Sequence, residues 1–188
     1  MGNKISPKEL LDLAMEVGIL KRVIRTGWQK KGVADPESVA EHTFRTAILA
    51  MILAPQYSLD QSKVLKMALV HDLGEAAIGD VIWEQGKVVI GSKEEKHKDE
   101  RQAINDMFAD NPHFQEYVEL WEEFEKQETA EAKFVKQLDK LEMVIQAFEY
   151  KKEGSNKESL QEFWDNAEKY LSNQELGRYF EELKKLKK

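Results

Sequence analysis

Residues 61–80 read QSKVLKMALVHDLGEAAIGD and place ionisable side chains where a buried helix face should continue. Val64 and Ala68 follow the spacing of an apolar stripe, so positions 71 and 72 should be apolar as well. They are instead His71 and Asp72. Because burying an unpaired charge is costly, such residues are paired, hydrogen-bonded or bound to a metal ion.

Two other predicted helices also turn an ionisable residue inward. Asp139, in a helix predicted over 129–153, lies between Val135 and Met143 on a stripe that offers it no charged partner. His42 lies near the apolar face of the helix predicted over 35–55. Each residue alone also fits a hydrogen-bonded core histidine, or an aspartate that caps a loop or pairs with an arginine. One metal centre would explain all of them together.

The ligand types indicate which ion such a centre would hold. Two imidazoles and two carboxylates form a mixed nitrogen and oxygen set, which suits Mn²⁺, Fe²⁺, Co²⁺, Ni²⁺ or Zn²⁺ better than Ca²⁺. Four protein ligands leave positions on an octahedral ion for water and substrate oxygens. Glu75 follows His71 at i+4 and Asp72 at i+3, so a continuous helix would place it on their side. These features favour a catalytic site.

The rest of the chain predicts an all-α, single-domain helical bundle over residues 1–188. The metal-site core should span about 19–150, with C-terminal helices at about 155–188. Residues 19–34 hold two glycines and several basic side chains, which favours an irregular loop. The predicted helices cover about 6–18, 35–55, 60–77, 92–109, 113–127, 129–153, 157–171 and 173–186. In the second of them, Phe44 and Met51 are expected on the buried face.

Composition excludes several classes of protein. The chain of 188 residues has no cysteine, which excludes disulfides and thiolate metal sites. Its N-terminus lacks the apolar segment of a signal peptide, and its longest apolar stretch is far short of the ~20 residues that span a bilayer. The formal net charge is −7, and no basic stripe suggests nucleic-acid binding. We therefore expect a cytoplasmic protein with no membrane or nucleic-acid partner.

Five segments give the chain a specific resemblance to a known family. The order His42, His71-Asp72, Asp139 on an all-α chain resembles the HD-domain metal-dependent phosphohydrolase superfamily. More narrowly, it is similar to the HD-domain 5′-deoxynucleotidases, which release phosphate from deoxyribonucleoside 5′-monophosphates. The resemblance covers most of residues 19–147. The segments are LKRVIRTGW (20–28), ESVAEHTFR (37–45), HDLGEAAIGD (71–80), KEEKH (93–97) and LDKLEM (138–143).

This resemblance assigns roles to the metal-site residues. It implies that Glu75 and Asp80 are the catalytic carboxylates. In some relatives the same two residues and the backbone carbonyl of the next one, Val81 here, hold a second ion, expected to be Mg²⁺. It also implies a homodimer and a nucleoside 5′-monophosphate substrate, with deoxyribonucleotides preferred. The principal metal ligands would be His42, His71, Asp72 and Asp139.

The expected substrate contacts come from two sources. By resemblance, Trp28 would orient the sugar and phosphate. Some bacterial members have an arginine immediately before that tryptophan, whereas this chain has Gly27, so Arg25 is the candidate substitute. Lys136 precedes Asp139 by three residues and could reach a phosphate. Arg25 and Lys136 would also fit ordinary solvated basic side chains, and Trp28 would also fit simple core packing.

Two alternatives remain open from the sequence. One is an HD hydrolase of another phosphate compound, such as a triphosphate or a pyrophosphorylated nucleotide. The other is a non-catalytic nucleotide-sensing protein that keeps its metal for stability. Glu75 and Asp80 count against the second alternative, since a structural metal site gains nothing from additional carboxylates beside its ligands.

Overall fold

The computed structural model describes residues 4–80, 83–84, 87–88, 93–108 and 114–187. These ranges form ten α-helices, two short 3₁₀ helices and one two-residue antiparallel strand pair, so the predicted all-α class is confirmed. The α-helices are α1 (Pro7–Val17), α2 (Thr26–Lys30), α3 (Val39–Leu53), α4 (Gln61–Val70), α5 (Glu75–Ile78), α6 (Lys93–Phe108), α7 (Gln115–Lys126), α8 (Ala130–Lys152), α9 (Lys157–Leu171) and α10 (Gly177–Leu186). The 3₁₀ helices are Gly18–Lys21 and Ala54–Gln56, and the strands are β1 (Trp83–Glu84) and β2 (Lys87–Val88).

Helix α8 is the centre of the bundle. Thr129 caps its N-terminus by accepting a hydrogen bond from the Ala132 amide, and Lys151 and Lys152 complement the helix dipole at its C-terminus. The helix packs against α3, α4, α7, α9 and α10. Its many buried residues join one continuous hydrophobic core, so a polar group on α8 that faces the interior needs a partner, either from another helix or from a long side chain of α8 itself.

Helix α3 differs from the sequence-based expectation in its start and its buried face. It begins at Val39, after a capping box formed by Ser38 and Glu41, rather than at about residue 35. Phe44 is 67% exposed and Met51 55% exposed, so the expected burial of both is wrong. Every residue over 47–53 is apolar, and an apolar run of this kind carries no periodicity that would select a face.

Two local predictions near the centre are also wrong. The predicted loop over 19–34 contains a 3₁₀ turn, an isolated bridge between Ile24 and Ser38, and the short helix α2. Helix α4 ends at Val70, and residues 70–77 continue in turns closed by i→i+3 hydrogen bonds before and within α5. These tighter turns change the side-chain directions that a continuous helix would give.

No α-helix in the described part of the chain is long and apolar enough to cross a membrane.

Candidate metal centre and active-site cavity

The four predicted ligands converge from three places in the fold. His42 comes from α3, His71 and Asp72 from the turn after α4, and Asp139 from the middle of α8. The Nε2 atoms of His42 and His71 are 3.4 Å apart, and Asp72 Oδ2 lies 3.6 Å from the first and 3.3 Å from the second. Asp139 Oδ1 approaches His42 Nε2 from α8 at 3.5 Å. The structure therefore brings together residues that are far apart in sequence.

Both histidines are oriented by hydrogen bonds from their other ring nitrogen. His71 Nδ1 donates to the Ala68 carbonyl at 2.8 Å, and His42 Nδ1 donates to the Glu142 carboxylate. In the neutral imidazoles this leaves the Nε2 lone pairs directed at each other. Because a divalent cation between these atoms would satisfy both lone pairs, the donor set fits a metal ion.

The carboxylates of the centre are held in the ionised form. Burial alone would raise the pKa of Asp72, but His71, Arg25 and His42 lower it well below its usual range. For Asp139, burial is likewise outweighed, here mainly by two lysines, and its pKa is lowered well below the usual range. Ionised oxygens are the form that binds a metal, so the electrostatics agree with the geometry.

Asp139 has the charged partners that its apolar stripe did not suggest. Lys136 Nζ and Lys140 Nζ each lie 3.1 Å from Asp139 Oδ2, while Asp139 Oδ1 faces His42. The expectation of an aspartate without a charged neighbour is therefore wrong. Lys136 precedes Asp139 by three residues and Lys140 follows it directly, and their long, flexible side chains let both ammonium groups reach the same carboxylate.

The two predicted catalytic carboxylates lie beside the ligands and share a guanidinium group. Arg25 Nη1 is 3.1 Å from Asp72 Oδ2, 3.8 Å from Glu75 Oε2 and 3.7 Å from Asp80 Oδ1. Thr26 holds Asp80 in place, because its amide donates to Asp80 Oδ2 at 2.6 Å and its hydroxyl donates to the Asp80 carbonyl at 2.7 Å. Val81, the predicted further ligand of a second ion, lies outside the described residues.

A cavity of about 470 Å³ opens beside this centre. Trp28 lines it but is only 2% exposed, with its indole N–H donating to Glu37 Oε1 at 2.9 Å. Lys136 and Lys140 line the cavity at Asp139. His97 also reaches the cavity, where it stacks on Trp121 and contacts Glu125, and it belongs to no cluster of potential metal ligands among the described residues.

Sequence reasoning missed a second layer of charge behind His42. Glu142 is fully buried and binds both His42 Nδ1 and Arg45, whose Nε donates to Glu142 Oε1 at 2.8 Å. Burial of Glu142 is outweighed by His42 and Arg45, which lower its pKa. The signal was present in LDKLEM, where Glu142 follows Asp139 at i+3 and therefore shares its side of the helix.

Sequence reasoning also missed the contribution of the C-terminal helices. Residues of α9 line the same cavity as the predicted ligands His71, Asp72 and Asp139, so the site extends beyond the expected core of about 19–150. Phe163 and Tyr170 are the aromatic members of this wall. The sequence signal for this wall was the i, i+7 spacing of these two aromatic residues on a helix that is otherwise rich in charged residues.

Fold and centre together define an all-α protein in which two buried histidines, the buried Asp139 and the partly exposed Asp72 converge beside a cavity. The family model of the HD domain matches residues 17–178, which is most of the chain. The chain therefore belongs to the HD domain family.

Named relatives and solved structures agree with this family. The human 5′-deoxynucleotidase HDDC2 is 39% identical over 178 residues, covering 94% of this chain and 85% of that protein. The 5′-deoxynucleotidase hdd1 of Schizosaccharomyces pombe is 39% identical over 150 residues, covering 77% and 73%. A solved structure of a conserved hypothetical protein from Pyrococcus furiosus is 40% identical with a TM-score of 0.77, covering 93% of this chain and 99% of that one.

Proposed function

We propose that this chain is a metal-dependent phosphomonoesterase that hydrolyses deoxyribonucleoside 5′-monophosphates to nucleoside and phosphate. Relatives at about two-fifths identity over most of both chains are named 5′-deoxynucleotidases. The observation that carries the proposal is the convergence of two Nε2 atoms and two aspartates beside Glu75, Asp80 and Arg25 at the wall of a cavity.

The principal ion would be held by the four converging residues. Its identity is proposed from the ligand set as Mn²⁺, Co²⁺, Fe²⁺, Ni²⁺ or Zn²⁺, with Mg²⁺ at a second position formed by Glu75, Asp80 and the Val81 carbonyl. A bound cation at this place lowers the pKa of its water and polarises a phosphoryl oxygen. The principal ligands are His42, His71, Asp72 and Asp139.

The chain's own residues supply the remaining functions. Arg25, Lys136 and Lys140 line the cavity and can pair with phosphate oxygens, for which guanidinium and ammonium groups are suited. Attack of water on phosphorus breaks the bond to the 5′-oxygen, and one proton must pass from the water to that oxygen. Glu75 would accept this proton from the attacking water and Asp80 would pass it on to the 5′-oxygen, so that neither carboxylate gains or loses a proton overall; both lie beside the same guanidinium group of Arg25.

Phosphate release tests this proposal. Chelator-treated protein is reloaded with Mn²⁺, Co²⁺ or Mg²⁺ and assayed on deoxyribo- and ribonucleoside 5′-monophosphates, with di- and triphosphates alongside. We expect metal-restored turnover that favours the deoxy substrates. Preference for a triphosphate would identify the other hydrolase class instead. No release with any ion, from folded protein that binds metal, would favour the sensing protein.

Replacement of Glu75 separates catalysis from structural support. Glu75→Gln should lower kcat by about 10²- to 10⁴-fold, as expected for loss of a general base, while occupancy of the principal metal site and the melting temperature are kept. Glu119→Gln, at an exposed position on α7, is the matched control and should behave as the wild type. Equal loss of activity, metal and stability in Glu75→Gln would indicate a structural site.

The homodimer is proposed on the exposed face of α3. Phe44, Met51 and Ile52 lie at i, i+7 and i+8 on this helix and are each more than half exposed. Exposed apolar side chains on one face of a helix are typical of interaction surfaces. A second copy of the chain would cover them. The cytoplasmic location stays a prediction from the sequence.

A further inference from the structure

Helix α9 presents one of its faces to the active-site cavity. Its core stripe holds it against the bundle through Leu160, Trp164, Ala167 and Leu171, all buried. The neighbouring stripe, Phe163, Asn166 and Tyr170 at i, i+3 and i+7, lines the cavity. We call these three residues the α9 stripe. Because the core stripe anchors the helix, the α9 stripe is a fixed wall rather than a mobile loop.

The aromatic ends of the α9 stripe are tied to the catalytic side of the cavity. The Phe163 ring lies 3.9 Å from the Trp28 ring at an angle of 34°, and Trp28 is held by Glu37. At the other end, Lys140 Nζ lies 5.8 Å from the centre of the Tyr170 ring and 3.1 Å from Asp139 Oδ2. One lysine ammonium group therefore lies between the Tyr170 ring and the carboxylate of Asp139, a predicted metal ligand.

Asn166 is the polar member of the α9 stripe. It is half-buried and lines the cavity, and its side-chain amide makes no hydrogen bond with any residue in the described ranges. A side-chain amide offers two donors and a carbonyl acceptor, which matches the mixed donors and acceptors on the edge of a base. The rings of Phe163 and Tyr170 offer the flat apolar surfaces on which bases stack.

The charge of this wall argues for a base rather than for further phosphates. The α9 residues that line the cavity are Glu162, Phe163, Asn166 and Tyr170, and none of them is basic. Glu162 is already paired with Lys31 at 2.6 Å. The basic groups of the cavity come from other elements, and those that reach α9 are already paired: Lys31 with Glu162, and Lys140, near the Tyr170 ring, with Asp139. A chain of several phosphates would meet no basic residue of α9 itself, whereas a single phosphate at the metal centre leaves the α9 stripe to the nucleoside.

We propose that the α9 stripe is the nucleobase site, in which Tyr170 and Phe163 contact the base faces and Asn166 reads the base edge. This inference rests on the proposed nucleotidase function. It adds a base-recognising surface in the C-terminal part of the chain, and it makes base preference a property of one helix. An amide that can turn to present either its oxygen or its nitrogen accepts several bases.

The first test compares substrates with and without a base. Tyr170→Ala should lower kcat/KM for deoxyribonucleoside 5′-monophosphates by about 5- to 100-fold, as expected for loss of one stacking contact. Turnover of 2-deoxyribose 5-phosphate, which has no base, should stay within about twofold of the wild type. Lys169→Ala, at the adjacent exposed position, is the matched control. Equal losses on both substrates, or no loss on either, would overturn the proposal.

The second test changes hydrogen bonding with almost no change of shape. In Asn166→Asp the side chain only accepts, so it still pairs with the exocyclic amino group of cytosine but repels the O4 acceptor of thymine. The ratio of kcat/KM for dCMP to that for dTMP should rise about tenfold. The added negative charge acts on both phosphates alike and cancels in the ratio. An unchanged ratio would show that Asn166 does not contact the base.

A binding measurement separates this inference from the proposed function. Metal-loaded Glu75→Gln protein is titrated with dCMP and with 2-deoxyribose 5-phosphate in a calorimeter, with and without Tyr170→Ala. Tighter binding of dCMP that is lost with Tyr170 supports the base site even if the wild type shows no turnover. If the wild type hydrolyses nucleotides but Tyr170→Ala leaves dCMP binding unchanged, the base site is refuted and the proposed function stands.

Discussion

Replacement of Glu142 by Gln tests whether a buried carboxylate prepares His42 for metal binding. Glu142 has no exposed surface and accepts hydrogen bonds from His42 Nδ1 and Arg45 Nε. Gln has nearly the same volume, but its amide nitrogen can donate to His42 Nδ1. That contact would move the imidazole proton to Nε2, the atom that faces the other ligands.

The expected loss of metal affinity follows from the position of Glu142, which binds the predicted ligand His42 on the side away from the metal. Loss of such an outer partner lowers metal affinity by about 10- to 100-fold, which equals about 1.4–2.8 kcal/mol of binding free energy. Arg45 keeps its contacts with Glu149 and Gln146, so the metal-free protein should remain folded. Calorimetric titration of Mn²⁺ or Co²⁺ into chelator-treated protein measures the affinity, and urea unfolding in chelator measures the stability.

Glu149→Gln is the matched control for this substitution. Glu149 Oε2 accepts from the same Arg45 at 2.6 Å, but its side chain is 44% exposed and it has no hydrogen bond to His42. We expect unchanged metal affinity and a change of at most about 0.5 kcal/mol in unfolding free energy. Wild-type metal affinity in Glu142→Gln would refute the positioning of His42 by Glu142. Equal weakening in both variants would instead indicate general loosening around Arg45.

Three further predictions concern stability and assembly. Burial and the neighbouring Glu142 raise the pKa of Glu37 from 4.5 to about 7, so its ionisation destabilises the folded state as pH rises through that interval. In urea unfolding without metal, Glu37→Gln should therefore be more stable than the wild type at pH 8, by up to about 3 kcal/mol, with a much smaller difference at pH 5. Gly79 has φ +77° and ψ 171°, a backbone conformation that strains other residues, so Gly79→Ala should lower the free energy of unfolding by about 1–3 kcal/mol. Gly18→Ala, at φ −61°, should leave the free energy of unfolding nearly unchanged. Equal effects of the two substitutions would contradict this explanation. Ile52→Glu should convert the proposed dimer to a monomer in light scattering, and a wild type that is already monomeric would exclude this interface.

Local sequence signals predicted most of the helices and selected the candidate metal ligands. Helix α8 occupies Ala130–Lys152 where 129–153 was predicted, because Thr129 is a strong N-cap and the lysines suit the C-terminus. His42, His71 and Asp139 could be selected because each is an ionisable residue on a stripe of apolar ones. These signals act within one helix, between residues that are close in sequence.

Contacts between helices could not be predicted in the same way. The apolar run over 47–53 left the buried face of α3 undecided, and packing in the tertiary structure exposed Phe44. Likewise, Glu142 on α8 binds both His42 and Arg45 on α3, although it lies about a hundred residues away in the sequence. The partner of a buried charged group depends on which side chains the surrounding helices place beside it, and a long side chain can reach several such positions.

The amino-acid sequence by itself determined the helical class, the caps and the residues able to bind a metal, because periodicity and capping are local properties. Only the tertiary structure decided that α9 closes the cavity, that Lys140 joins Lys136 on Asp139 and that Glu142 supports His42. These contacts join residues on different helices or depend on the reach of flexible side chains. They are set by the packing of the whole core, which no single segment specifies.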